Sequence, residues 1–167
     1  MGAGKSSVGR CLQRRLGLAR IDTDELVATK AGMTIPEIFS KNGEETFRQA
    51  ETDVLRELEL RRPSIIVTGG GIVLKNENVN RLKMLGTVVW LDADEKILFA
   101  RATRKNDRPL LQTEDPRARF ASLLADRRPI YAGAADIRID TSNLNHEAVA
   151  ESILSEIDKL IPGKHER

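Results

Sequence analysis

Apolar residues recur along this chain in two rhythms, and the two alternate. Between Lys5 and Leu16 they return every three to four positions, which predicts a helix, with Gly17 placed to close it. Arg20–Asp22 is short and β-prone. A second helix is expected from there to Ala31, stopped at Gly32. Thr34-Ile35-Pro36-Glu37 has the form of a capping box with Pro in the first turn, so a third helix begins there. Gly43 interrupts it, and Glu44–Glu59 continues helically. Ser64-Ile65-Ile66-Val67 is continuously apolar and β-branched, as in a strand covered on both faces, and it runs into Thr68-Gly69-Gly70-Gly71. Asn76 is a candidate cap for a helix to Met84, and Thr87–Leu91 is another buried strand. Glu95–Thr103 is helical, and the charged, proline-containing stretch 104–116 is a loop. Arg117 to about Ile130 is helical, Ile137–Asp140 a last strand and Asn145–Leu160 a closing helix. Strands alternating with helices predict a parallel sheet with helices on both faces.

Composition narrows the class. The chain has 167 residues, 31 % charged and 40 % hydrophobic, with net charge +2. That is one domain with an ordinary core, and it gives no reason to expect a nucleic-acid or membrane partner. Basic pairs such as Arg14-Arg15 and Arg127-Arg128 are dispersed among acids and read as solvated faces. The single cysteine, Cys11, excludes an internal disulfide and reads as a packing residue. His146 and His165 have no neighbours at metal-ligand spacing. With no long apolar run and no signal-like start, a cytoplasmic protein is expected.

Chemistry enters at the first residues. Gly2-Ala3-Gly4-Lys5-Ser6-Ser7 is the back half of the phosphate-binding signature G-x-x-x-x-G-K-[ST]. Glycines let backbone N–H groups surround phosphates, Lys5 brings a point charge to the β- and γ-phosphates, and the Ser6 hydroxyl is a ligand for Mg2+. A helix opening at Lys5 aims its positive end at the same place. A parallel sheet binds ligands beyond the carboxyl ends of its strands, and there lie Asp22, Asp24 and Gly69-Gly70-Gly71. An Asp after a strand is also a common helix cap, and Asp24 suits that role equally well. A glycine triplet is also a common turn.

Six pieces in order make the chain similar to the shikimate kinases, small P-loop enzymes of aromatic amino-acid biosynthesis. They are residues 1–6, Asp22-Thr23-Asp24, Gly43-Glu44 with Phe47-Arg48 and Glu51, Thr68–Gly71, Arg108-Pro109-Leu110-Leu111, and Arg127-x-Pro129-x-Tyr131. The resemblance runs from Met1 to about Leu160. It implies a three-layer α/β/α P-loop kinase fold with a central parallel sheet, a substrate-binding subdomain at about 24–59 and a lid at about 104–116. It implies ATP and shikimate as partners, Mg2+ as cofactor and a monomer. By the same resemblance Lys5, Asp24 and Arg108 are catalytic. Gly2, Ala3, Gly4, Lys5, Ser6, Ser7, Arg101, Arg108 and Thr141 hold the nucleotide. Asp24, Arg48, Gly69, Gly70, Gly71 and Arg127 hold shikimate, and Ser6 and Asp22 the metal ion. Glu51, three residues after Arg48 on one helix face, would fix its fork.

The family carries a strand and a first loop glycine ahead of the position of Met1. In its 2-3-1-4-5 strand order that strand is central, so its two neighbours would face a gap. Buried unpaired backbone groups cost ~1–3 kcal/mol each against a total of about 5–15 kcal/mol. The expectation is weak folding or weak ATP binding of the chain as written, with a start assigned too far downstream as the explanation. The alternatives are another P-loop small-molecule kinase, such as a gluconate kinase, and a truncated inactive copy.

Overall fold

The computed structural model describes residues 2–104 and 109–160. Arg108, Met1 and His165 therefore lie outside the described residues, as does the centre of the expected lid. The elements run α1 (Lys5–Leu16), β1 (Ala19–Asp22), α2 (Thr23–Ala31), α3 (Ile35–Glu57), β2 (Ser64–Val67), α4 (Asn76–Leu85), β3 (Val89–Asp92), α5 (Glu95–Ala102), α6 (Pro116–Ala134), β4 (Ile137–Asp140) and α7 (His146–Leu160). Single 3-10 turns occupy Ile72–Leu74 and Pro109–Leu111.

The alternation predicted from the apolar rhythm is present, and the local signals act as chemistry requires. Gly17 and Gly32 close α1 and α2 in the left-handed conformation. Thr34 and Glu37 complete the capping box, with the Glu37 carboxylate accepting from the Thr34 amide at 2.8 Å. Gly43 leaves helical geometry (φ 82°, ψ 171°) while α3 continues on either side of it.

Some boundaries differ from the sequence reading. Asn76 is the first helical residue of α4 rather than its cap, which is Lys75. It is Asp22, not Asp24, that caps α2: its carboxylate accepts from the Asp24 amide at 3.2 Å. Helix α3 ends at Glu57, β3 occupies Val89–Asp92, and the stretch 104–116 contains a 3-10 turn. Helix α6 continues through Pro129 to Ala134, four residues beyond expectation. A proline inside a helix removes one hydrogen bond. Here the flanking turns are held by Phe120, Leu123 and Leu124 inside one core and Ala134 inside another.

The strands form two parallel pairs. β1 lies beside β2 with Asp22 opposite Val67, and β3 beside β4 with Asp92 opposite Asp140. Between β2 and β3 is a cavity of about 220 Å³ walled by Ser64 and Ile66 on one side and Val89 and Leu91 on the other. The sheet is thus divided where the resemblance puts the strand ahead of Met1. Around the strands, Val8, Ile139, Val149 and Ile153 join α1, β4 and α7, while Val27, Ile38, Phe47 and Val54 join α2 to α3. Among the described residues no helix is long and apolar enough to cross a membrane.

Candidate active site

Backbone geometry makes the phosphate loop. Gly2 and Gly4 both adopt positive φ (72° and 83°), where a Cβ is strained. Space is also closed to larger residues: a Cβ on Gly2 would lie 2.2 Å from the Leu98 carbonyl oxygen, and one on Gly4 3.3 Å from the His146 ring. Gly4 caps α1 without a side-chain hydrogen bond, so the amides of Lys5, Ser6 and Ser7 open the helix toward the loop. Ala3 is buried beneath them. Gly9, which sequence reasoning passed over, lets this helix settle on β2; a Cβ there would meet a Val67 methyl at 2.6 Å.

At the carboxyl end of β1, Asp22 is held twice. Besides capping α2 it accepts from Arg20 at 3.0 Å, and both side chains of that pair are largely buried. Arg20 was not singled out in the sequence; only its alternation with Asp22 on one strand face hinted at the pair. At the far edge of the sheet the Arg101 guanidinium donates to the Thr141 hydroxyl and carbonyl, both at 3.1 Å. Thr141 is in turn anchored on the Asp92 carbonyl, so the two nucleotide candidates form one wall.

Side chains make the other end. Asp24, Arg48, Gly69, Gly70, Gly71 and Arg127 all line one cavity of about 300 Å³, floored by Phe39 and Phe47. Arg48 donates to Glu51 at 2.6 Å and to Glu44 at 2.9 and 3.2 Å, and its guanidinium lies 5.1 Å from the centre of the Phe47 ring. Glu51 is fully buried, so the fork of Arg48 is clamped from inside as the helix spacing suggested. Burial pushes the Glu51 carboxyl above its ordinary range against the pull of Arg48, and the charge of Asp24 adds to the rise. Arg127, read in the sequence as half of a solvated basic pair, is buried at 6 % exposure; its neighbour Arg128 instead reaches the Ala93 carbonyl at 3.0 Å.

Gly69 and Gly71 are required by crowding rather than by φ. A Cβ on Gly69 would stand 2.7 Å from carboxylate oxygens of both Asp24 and Glu51, and one on Gly71 only 2.1 Å from an Arg48 nitrogen. All three carbonyls of the triplet are engaged, by the Ile72 amide (3.4 Å), the Tyr131 hydroxyl (2.6 Å) and the Leu74 amide (3.0 Å). Gly69 and Gly70 border this cavity and the one between β2 and β3, where Lys5 also sits. A pocket with two buried guanidinia, a carboxylate and bare glycine backbone is shaped for a small anion bearing hydroxyl groups.

Known proteins share this sequence and fold. The sequence model of the family described as shikimate kinase matches residues 1–158. The chain belongs to the shikimate kinase family. It is 43 % identical over 164 residues to the shikimate kinase of Thermodesulfovibrio yellowstonii, covering 98 % of this chain and 94 % of that one. It is 42 % identical to that of Symbiobacterium thermophilum, covering 95 % and 92 %. Among solved structures, a shikimate kinase from Acinetobacter baumannii in complex with shikimate superposes with TM-score 0.92 at 39 % identity, covering 98 % of this chain and 91 % of that one. The shikimate kinase of Aquifex aeolicus follows at TM-score 0.82 and 35 % identity. The fold is accordingly the P-loop kinase fold, with helices around parallel strands.

Proposed function

We infer that this chain transfers the γ-phosphoryl group of ATP to a hydroxyl of shikimate, giving shikimate 3-phosphate in aromatic amino-acid biosynthesis. The observation that carries the reading is the cavity in which Arg48 and Arg127 face Asp24 across the glycine triplet, at the edge that also presents Lys5. Two guanidinia suit one carboxylate, and the amides and Asp24 suit ring hydroxyls.

Phosphoryl transfer asks a protein mainly for positioning and charge stabilisation. The loop amides and Lys5 hold the β- and γ-phosphates, and the α1 dipole adds to their pull. Arg48 and Arg127 fix the acceptor by its carboxylate, so its hydroxyl meets Asp24, which orients it and takes its proton as the new bond from that oxygen to the γ-phosphorus forms and the bond from the β,γ-bridging oxygen breaks, releasing ADP. Arg101 and Thr141 border the adenine. Arg108 acts from the lid at about 104–116, which excludes water on closing; residues 24–59 form the acceptor-binding part.

The donors present fit Mg2+. Ser6 and Asp22 offer hard oxygen atoms, and no cluster of three His, Cys, Asp or Glu is found among the described residues. Both Asp22 oxygens are engaged, by Arg20 and by the Asp24 amide, which suits holding the ion through water. Bound there, Mg2+ would neutralise phosphate charge. The protein acts as a cytoplasmic monomer on these two small molecules.

The deciding experiment is ADP release by the 167-residue chain with Mg-ATP, in the presence of shikimate or gluconate. Shikimate-dependent turnover without gluconate turnover is expected. Equal turnover, or silence with both, would sink the assignment for this chain.

A further inference from the structure

Tyr131 closes the last of the six matched pieces, yet it does not line the acceptor cavity. It lines the space between β2 and β3, behind the glycine triplet, whereas Arg127 and Gly71 line the acceptor cavity in front. Its hydroxyl donates to the Gly70 carbonyl at 2.6 Å, and the charge of Arg127, one helical turn earlier on α6, bears on the same phenol. The ring leans on Trp90, with centroids 5.9 Å apart and planes tilted 35°.

We propose that Tyr131 is a positioning residue for the acceptor site, fixing the Gly70–Gly71 peptide that borders it. The argument is one of peptide geometry. A trans peptide holds its C=O and N–H in one plane, pointing in opposite directions. Locking the Gly70 carbonyl onto Tyr131 therefore turns the Gly71 N–H away from Tyr131, toward the side where Arg48 crowds Gly71. Burial pushes the phenol above its ordinary value, although Arg127 pulls it down, so the hydroxyl keeps the proton it donates. Pro129 sits between the two residues on α6, and the helix passes through it. The inference rests on the reading that Arg127 and the triplet hold the shikimate carboxylate and hydroxyls.

The test is titration calorimetry of shikimate and, separately, of ATP on the full chain and on Tyr131→Phe, Arg127→Lys, their double variant and Trp90→Phe, with melting temperatures alongside. Tyr131→Phe keeps the ring and removes only the hydroxyl. Its shikimate Kd is expected to rise about three- to tenfold, as for one lost hydrogen bond, with the ATP Kd unchanged. In the Arg127→Lys background the same change is expected to add less than twofold, because the two residues are neighbours on α6 and serve one site. Trp90→Phe disturbs the packing without touching the hydroxyl and is expected to leave shikimate binding within twofold. The proposal is overturned if Tyr131→Phe binds shikimate like the parent while Arg127→Lys is weakened. It is equally overturned if Tyr131→Phe weakens both ligands together with a fall in melting temperature, or if Trp90→Phe weakens shikimate as much. An Arg127→Lys variant that binds shikimate like the parent would instead bring down the reading beneath it.

Discussion

The phosphate loop and the acceptor cavity both prepare for an anion, but they use different atoms. At the loop the cradle is main chain: Gly2 and Gly4 in left-handed geometry and the open amides at the start of α1. In the proposed acceptor cavity the charge is carried by side chains, Arg48 braced by Glu51 and Glu44 and Arg127 buried on α6. A main-chain cradle needs a few neighbouring residues in a special conformation. A side-chain cradle needs groups from α3, α6 and the β2 edge to arrive together, and it tolerates no bulk at their meeting point.

Substitutions can break this contrast, beginning with the largest effect. Lys5→Ala should lower kcat about 10²- to 10³-fold, the usual loss on removing one preorganised donor to developing charge, while shikimate binding stays within twofold. Steady-state kinetics with calorimetry checks it, and a comparable loss of shikimate affinity would mean the two regions are not separable. Next comes Gly71→Ala, whose Cβ would fall 2.1 Å from an Arg48 nitrogen. Displacing a charge-assisted contact should weaken shikimate about 10- to 100-fold and spare ATP; unchanged shikimate binding would show that Arg48 does not need its present place.

Glu51→Gln sharpens the comparison through pH. The Glu51 carboxyl is raised in the folded state, so folding disfavours its charged form. Stability linked to Glu51 should therefore be greatest below the ordinary carboxyl range and fall as pH climbs through the raised folded value. Glu51→Gln should flatten that decline in urea titrations over a pH series while loosening the fork of Arg48. Equal slopes in both proteins would remove Glu51 as the titrating group. Smallest is Thr34→Ala, which deletes the capping box of α3 and should cost about 1 kcal/mol in the same titrations, with ligand affinities unchanged.

Legibility followed the same division. The phosphate loop was readable because it is contiguous, and the capping box and the glycine stops of α1 and α2 because each acts within one turn of chain. Arg48 and Glu51, three apart on α3, were readable as a pair for the same reason. Arg127 was placed by resemblance alone, since nothing in Arg127-Arg128 says which of the two is buried. The roles of Gly9, Arg20 and Tyr131 depend on partners in other elements or on which way a strand faces, and no local pattern encoded them.

The sequence by itself thus determined where helices and strands lie, how most of them end, and that phosphate chemistry starts at Gly2–Ser7. Those features depend on interactions a few residues long. Only the tertiary structure decided that the strands form two pairs flanking a cavity, that positions 69 and 71 must be glycine because Asp24, Glu51 and Arg48 crowd them, and that Tyr131 bonds to Gly70. Such contacts join residues distant in the chain, and their distances exist only once the core has packed.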